Sequence, residues 1–308
     1  MKLYKSYWHS KVTTKGKAHE SDNNYFTAIP NPGAGIGHQL ANWIAGYWFA
    51  GLFGLKFSHF PFSSPAWENY FGFGQNEETV STLQQKGYTK VQLPLFRESD
   101  KHEVATIKKI IQSYNHKKTV FVAEQDQYYK AQYEIMDVLK HKFYNAPARK
   151  DNKLIFSPEH QNIAIHVRRG DIVTAGNNKI FNKSLRFQEN DYFIKVLANT
   201  INNIKLGKKV AVYLFSQGKA EDFRDFQQFD NIQFCLEMNA LDSFNHMVYA
   251  DILITSKSSF SYKAALLNNG LKICPKEFWH GYPLTNDFIL AEEDGSVESK
   301  KFLLWSDH

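Results

Sequence analysis

Along the second half of the chain, apolar runs alternate with amphipathic stretches. Residues 162–167 read Asn-Ile-Ala-Ile-His-Val, a nearly continuous apolar run that predicts a buried strand. From Asp191, a residue suited to capping, Phe193, Val196, Leu197, Thr200, Ile201 and Ile204 recur at helical spacing. Runs at 210–215, 231–235, 251–255 and 271–274 predict four more strands, the last ended by Pro275. Helices are expected over 219–227, 241–248 and 259–269, the third closed by Gly270. Short Val/Ile/Leu runs separated by helices predict a parallel sheet covered on both faces. Such a doubly wound α/β domain binds nucleotides where its strands end.

The first half is less regular. Leu40, Trp43, Ile44, Tyr47 and Trp48 share one face of a helix predicted over 37–52. Residues 56–60 and 119–123 read as strands. Val104, Ile107, Ile110 and Ile111 mark one helix, and residues 129–143 another. This again reads as α/β. The polar stretch 145–152 is the best linker. It predicts an N-terminal α/β domain over 1–150 and a nucleotide-binding domain over 151–308, with an active-site cleft between them.

Composition narrows the class. The 308 residues are 43% hydrophobic and 22% charged, the balance of a globular protein and not of a disordered or coiled-coil chain. The formal net charge of +6 favours anionic partners. Yet the lysines look scattered, with no stripe and no nucleic-acid motif. Cys235 and Cys274 lie in apolar runs and read as buried free thiols, which suits a reducing, cytoplasmic location. No Cys/His cluster has zinc spacing. The first five residues are too polar for a signal peptide, and the apolar region 41–57 is too interrupted for a membrane span.

Three segments could carry chemistry. The sharpest is Ile165-His166-Val167-Arg168-Arg169-Gly170-Asp171, where a buried strand gives way to a loop. A guanidinium there can grip two phosphate oxygens, unless it merely pairs with Asp171. Asp171 could instead orient an arginine or take a proton. The second segment, Gly33-Ala34-Gly35-Ile36-Gly37-His38-Gln39, leads into a helix and lets backbone N–H groups approach an anion or a sugar hydroxyl. It lacks the lysine of a P-loop. His38 is either a general base or a capping histidine. The third is Thr255-Ser256-Lys257-Ser258-Ser259-Phe260-Ser261, a strand end whose hydroxyls open the next helix. Ser216-Gln217-Gly218 and Asp242 are minor candidates.

The segment His166-Val167-Arg168-Arg169-Gly170-Asp171 resembles the H-x-R-R-x-D motif of the α1,2-, α1,6- and protein O-fucosyltransferases. Gly35-Ile36-Gly37-His38-Gln39 is similar to the G-x-G-N-Q stretch of the α1,2 enzymes, with His38 for Asn. Ser258-Ser259-Phe260-Ser261 is similar to their N-S-S-F-S segment, preceded here by Lys257. The resemblance implies a GT-B-like fold, two Rossmann-like domains facing across a cleft. It also implies inverting transfer from a nucleotide-sugar donor, usually GDP-fucose, with no metal or other cofactor. On it, Arg169 holds the donor diphosphate and Arg168 supports the loop. Ser258 and Ser259 lie near the phosphates, and Asp242 is the nearest candidate for a guanine contact. Ser216-Gln217-Gly218 departs from the family's S-D-D.

The expected activity is therefore transfer of a sugar to a hydroxyl of a glycan acceptor. Arg169, Asp171 and His38 are the catalytic candidates. His166, Arg168, Arg169, Ser216, Asp242, Ser258, Ser259 and Phe260 are the donor-binding ones, and Gly35, Gly37, His38 and Gln39 the acceptor-side ones. The rivals are the same scaffold with another donor sugar, a polyanion binder, and a catalytically dead sugar-binding relative. No nucleic-acid partner is expected.

Overall fold

The computed structural model describes residues 4–13, 23–124, 131–170, 186–204 and 207–306. Sequence places a linker over 145–152, and the chain divides there into two units, Met1–Asp151 and Asn152–His308. Each is built on a parallel sheet, the α/β class expected of both halves.

The first unit opens with α1 (Lys5–Val12), β1 (Tyr25–Ala28) and α2 (Ile36–Phe53). Next come β2 (Lys56–Phe57), α3 (Pro65–Phe71), α4 (Val80–Gln85) and β3 (Thr89–Gln92). The unit ends with α5 (Lys101–Gln112), β4 (Thr119–Ala123) and α6 (Met136–Tyr144). The sheet order is β2-β1-β4-β3, all parallel. Every residue of β4 is buried, because helices cover both faces of the sheet. Phe26, Phe49, Phe96, Ile107, Ile110 and Phe121 fill one side. Asp100 caps α5 by accepting from the His102 and Glu103 N–H groups, which satisfies two donors that the first turn leaves open.

In the second unit, β5 (His160–His166) is followed by α7 (Asn190–Asn203), β6 (Lys209–Phe215) and β7 (Ile232–Cys235). Then come α8 (Ala240–Tyr249), β8 (Ile252–Ile254) and α9 (Ser259–Leu267). The remaining elements are β9 (Leu271–Pro275), β10 (Phe288–Ala291) and α10 (Ser299–Ser306). Six parallel strands run in the order β10-β9-β8-β5-β6-β7. Ile163, Ile165, Leu214, Ile252, Ile254 and Ile273 pack with Phe193 and Leu197 of α7. Cys235 and Cys274 are buried free thiols, and burial pushes them up to about 11 and about 12.

Several expectations are corrected. Residues 271–275 are not the last strand, because β10 pairs beyond them, with Ala291 opposite Pro275. Glu189, not Asp191, occupies the N-cap of α7, so Asp191 sits inside the first turn, where a negative charge still favours the helix. Helix α9 ends at Leu267 instead of 269 and does not use Gly270 as a left-handed cap. Asn268 stops it, since its side-chain amide is spent on the Met247, Val248 and Ala250 carbonyls at the end of α8. Gly270 is needed for a different reason: a Cβ there would overlap the Asp251 carbonyl. Of the helix read over 129–143, residues 129 and 130 lie outside the described residues, and the rest is a 3-10 turn, Ala131–Ile135, followed by α6. No described helix is long and apolar enough to cross a membrane.

Candidate functional site

The strand order of the second unit locates a crevice without any motif. The chain lays β6 and β7 on one side of β5 and then crosses to place β8, β9 and β10 on the other. The loops leaving β5 and β8 therefore part to opposite faces, which is where open α/β sheets bind ligands. A side-chain bond spans this switch point, between His166 Nδ1 at the end of β5 and Ser256 Oγ after β8, at 2.8 Å. Burial, and then the charge of Arg168, pull the His166 pKa down to about 3. His166 is thus a neutral hydrogen-bonding group near pH 7, neither cation nor acid. Its ring lies 5.6 Å from that of Phe260, which also packs on Phe244.

The hydroxyls after β8 are all engaged. Ser258 caps α9 by accepting from the Phe260 N–H. Ser259 Oγ bonds His280 Nε2 at 3.1 Å, and the His280 ring stacks on Tyr262 with centroids 4.8 Å apart. The Lys257 N–H donates to the Gln188 side chain, and its buried ammonium pairs with Glu293. His166, Ser258, Ser259 and Phe260, four of the expected donor-side residues, are thus brought together around the ends of β5 and β8.

The two arginines sit in different surroundings. Arg169 donates to the Arg168 carbonyl and the Gln188 carbonyl, both at 3.0 Å, and to Asn190 Oδ1 at 2.6 Å. Its guanidinium also lies over the Phe187 ring. Of five N–H donors, two hold the strand-end loop against the start of α7 and a third closes on the loop's own Arg168 carbonyl. Arg169 is therefore a brace with at most two N–H groups left for an anion. The Arg168 charge, in contrast, is near enough to depress His166. Gly170 continues the loop at φ +59, where a Cβ would overlap Gln217 Oε1. Ser216 donates to the Val167 carbonyl at 2.7 Å. Ser216 and Gln217 accordingly close the back of the arginine loop.

Asp242 sits exposed in the first turn of α8, accepting from the Asn239 side chain, two residues before the Phe244 that packs on Phe260. Asp171 lies outside the described residues.

In the first unit, the glycine stretch precedes α2, with Gly35 as its N-cap and no side chain capping the helix. A Cβ at Gly33 or Gly35 would meet nothing within 4 Å, so these glycines leave the helix start open. Gly37 is buried inside α2, and the His38 N–H donates to the Gly35 carbonyl. Gln39 is a strut, donating to the Ala34 carbonyl and Ser63 Oγ and accepting from the Ser63 N–H. It also lines a small pocket with Thr27, Trp43, Phe57, Phe60 and Phe62, whose enclosed space of about 10 Å³ is room for roughly one water. Among the described residues, nothing bonds the buried Thr27 hydroxyl on this pocket or the nearby Ser58 hydroxyl. Such groups are costly unless a ligand or water meets them.

Behind the pocket, the Trp43 indole N–H donates to His59 Nδ1 at 3.2 Å, and His59 Nε2 lies 2.8 Å from Glu68 Oε1. An indole nitrogen can only donate, so Nδ1 is bare and the proton sits on Nε2, facing the carboxylate. Burial pulls the Glu68 pKa up, but the bonds from His59 and the Phe62 N–H outweigh it and hold the carboxyl below its usual range. With both ring nitrogens engaged, His59 is a fixed wall and not a base. Neither His59–Glu68 nor Ser259–His280 was singled out in the sequence. The aromatic run Phe278-Trp279-His280-Gly281-Tyr282 was the one signal for the second.

No protein-family model matches the chain, and no curated protein sequence matches it. Among solved structures, it is similar to a mutant of Arabidopsis thaliana FUT1 in complex with GDP. That match has 12% identity and a TM-score of 0.46, over 92% of this chain and 74% of that one. It is also similar to POFUT1 in complex with GDP, at 10% identity and a TM-score of 0.48, over 83% of this chain and 99% of that one. POFUT1 in complex with GDP-fucose matches at 11% identity and a TM-score of 0.47, over 86% of this chain and 100% of that one.

Proposed function

We propose that this protein is a metal-independent, inverting glycosyltransferase of GT-B type. It moves a sugar, L-fucose from GDP-fucose in the first place, to a hydroxyl of a glycan acceptor. One observation carries the reading: the segment resembling H-x-R-R-x-D leaves β5 at the switch point and is bonded, through His166 and Ser256, to the serine-rich start of α9. The acceptor oxygen attacks C1 of the donor from the face opposite the diphosphate. The C1–O bond to the diphosphate breaks as the new bond forms, and the acceptor proton leaves to a base. The charge growing on the diphosphate meets Arg168 and the N–H groups at the start of α9, in a site where fixed donors need no reorganisation. Arg169 fixes the loop that presents Arg168. His38 and Asp171 are the candidate bases, since His59 has no spare ring nitrogen and His166 resists protonation. On the acceptor side the reading rests on the open glycine stretch before α2, with His38 and Gln39.

Another donor sugar on the same scaffold is the second reading. It is favoured by Gln217 closing on Gly170 where the family carries an acidic residue, and by the Lys257–Glu293 pair. A melting-temperature screen separates these. GDP should stabilise the protein by a few degrees, ahead of UDP and GMP, and should do so at moderate salt. UDP ahead of GDP would keep the enzyme and remove fucose. Equal, salt-sensitive shifts with GDP, UDP and heparin would remove the transferase reading altogether.

A further inference from the structure

The net charge is not shared between the units. Residues 1–151 hold 19 Lys and Arg against 13 Asp and Glu, whereas residues 152–308 hold 18 of each. The lysines that look scattered in the sequence are partly gathered by α1. Successive residues of a helix turn by about 100°, so Lys11, Trp8, Val12 and Lys5 follow one another around a single face, opposite the buried Ser6. All four are exposed, Trp8 by 56% and Val12 by 82%. Trp8 and Val12 are one turn apart and flanked by a lysine on either side.

The helix is anchored on its other side. Ser6 Oγ donates to the Gln92 carbonyl of β3, and His9 Nδ1 lies 3.0 Å from Ser113 Oγ after α5. The His9 ring stacks on Tyr114 at 4.1 Å, and Lys117 Nζ lies 3.5 Å from His9 Nε2. Lys117 therefore extends the cationic rim beyond Lys5. The field is felt locally: burial, then Lys117 and His116, hold the His9 pKa below its usual value.

We propose that this face of α1 docks the protein on an anionic phospholipid surface, with Trp8 and Val12 entering the headgroup boundary and Lys5, Lys11 and Lys117 facing lipid phosphates. A soluble polyanion would be served by the lysines alone and gives no reason to expose a tryptophan and a valine between them. A bilayer interface uses both. The proposal rests on the first unit alone and stands or falls apart from the transferase reading.

The test is sedimentation of the full chain with vesicles of phosphatidylcholine, with and without roughly 30% phosphatidylglycerol. The protein should bind only the anionic vesicles, and less as salt is raised. Lys5→Gln with Lys11→Gln should weaken binding more than tenfold, at about fivefold per lysine. Trp8→Ser should weaken it about tenfold through lost apolar burial, and Val12→Gln should act in the same direction. These side chains are exposed, so unchanged circular dichroism and melting temperature verify the fold. No preference for anionic vesicles overturns the proposal. So does a Trp8→Ser variant that binds like the wild type, or heparin capture that depends on the lysines but not on Trp8.

Discussion

The two units share an architecture and differ in what they place at their strand ends. In the second, the carboxyl ends of β5 and β8 carry polar side chains bonded to one another: His166 to Ser256, Ser259 to His280, Arg169 to the start of α7. In the first, the end of β1 and the start of α2 surround a small aromatic pocket in which, among the described residues, nothing bonds a buried hydroxyl. A lattice of satisfied polar groups is preorganised for charge. A pocket that small, with one unmet polar atom, has room for a single water. The two units thus differ in the side chains they gather at their strand ends.

The largest test of this contrast concerns the arginines. Arg168→Ala should lower kcat/KM for transfer by 10²–10³, or ~2–4 kcal/mol. Arg169→Ala should lower transfer and stability together, because it also strands the Gln188 carbonyl and Asn190. An Arg169→Ala variant that melts like the wild type would return Arg169 to the phosphate and remove its bracing role.

The next test is acid. The His166 pKa falls from 6.5 in the unfolded chain to about 3 in the folded one. Below pH 6.5 the unfolded state binds a proton that the folded state refuses. The contribution is fully present above 6.5 and is lost as pH falls towards 3. Denaturant melts across that window should show wild type losing stability faster than His166→Asn. Parallel curves would mean that the switch-point histidine is solvated and accepts its proton freely.

In the first unit, Thr27→Val replaces an unbonded hydroxyl with a methyl of similar shape. The free protein should gain about 1 kcal/mol, by removal of a buried unsatisfied group. A variant no more stable than the wild type would mean that a water already meets the hydroxyl. Smallest of all, EDTA should leave transfer within about twofold, if the fixed cations at β5 and α9 do the work a metal would do. Complete loss, restored by Mn²⁺, would end the GT-B reading.

Much of the second unit was legible because its strands are continuous apolar runs separated by clear helices, and the arginine loop sat at a strand end. Less was legible in the first. Strand β1, with the pocket at its end, is only Tyr25–Ala28, and β3 is Thr89–Gln92 with two exposed residues. Neither run is long enough to establish a period. Strand β10 was missed for the same reason, and α1 because its exposed side carries Trp8 and Val12, the reverse of an ordinary amphipathic helix.

Sequence by itself determined the α/β class, the region of the linker and the buried free thiols. Those properties follow from local periodicity and from the chemistry of single side chains. Only the tertiary structure decided which partner each group meets. It turned Arg169 into a brace, joined His166 to Ser256 across 90 residues, and fixed the His59 tautomer between Trp43 and Glu68. Hydrogen-bond partners far apart in the chain are set by strand order and helix packing, and neither is written in the spacing of residues along the chain.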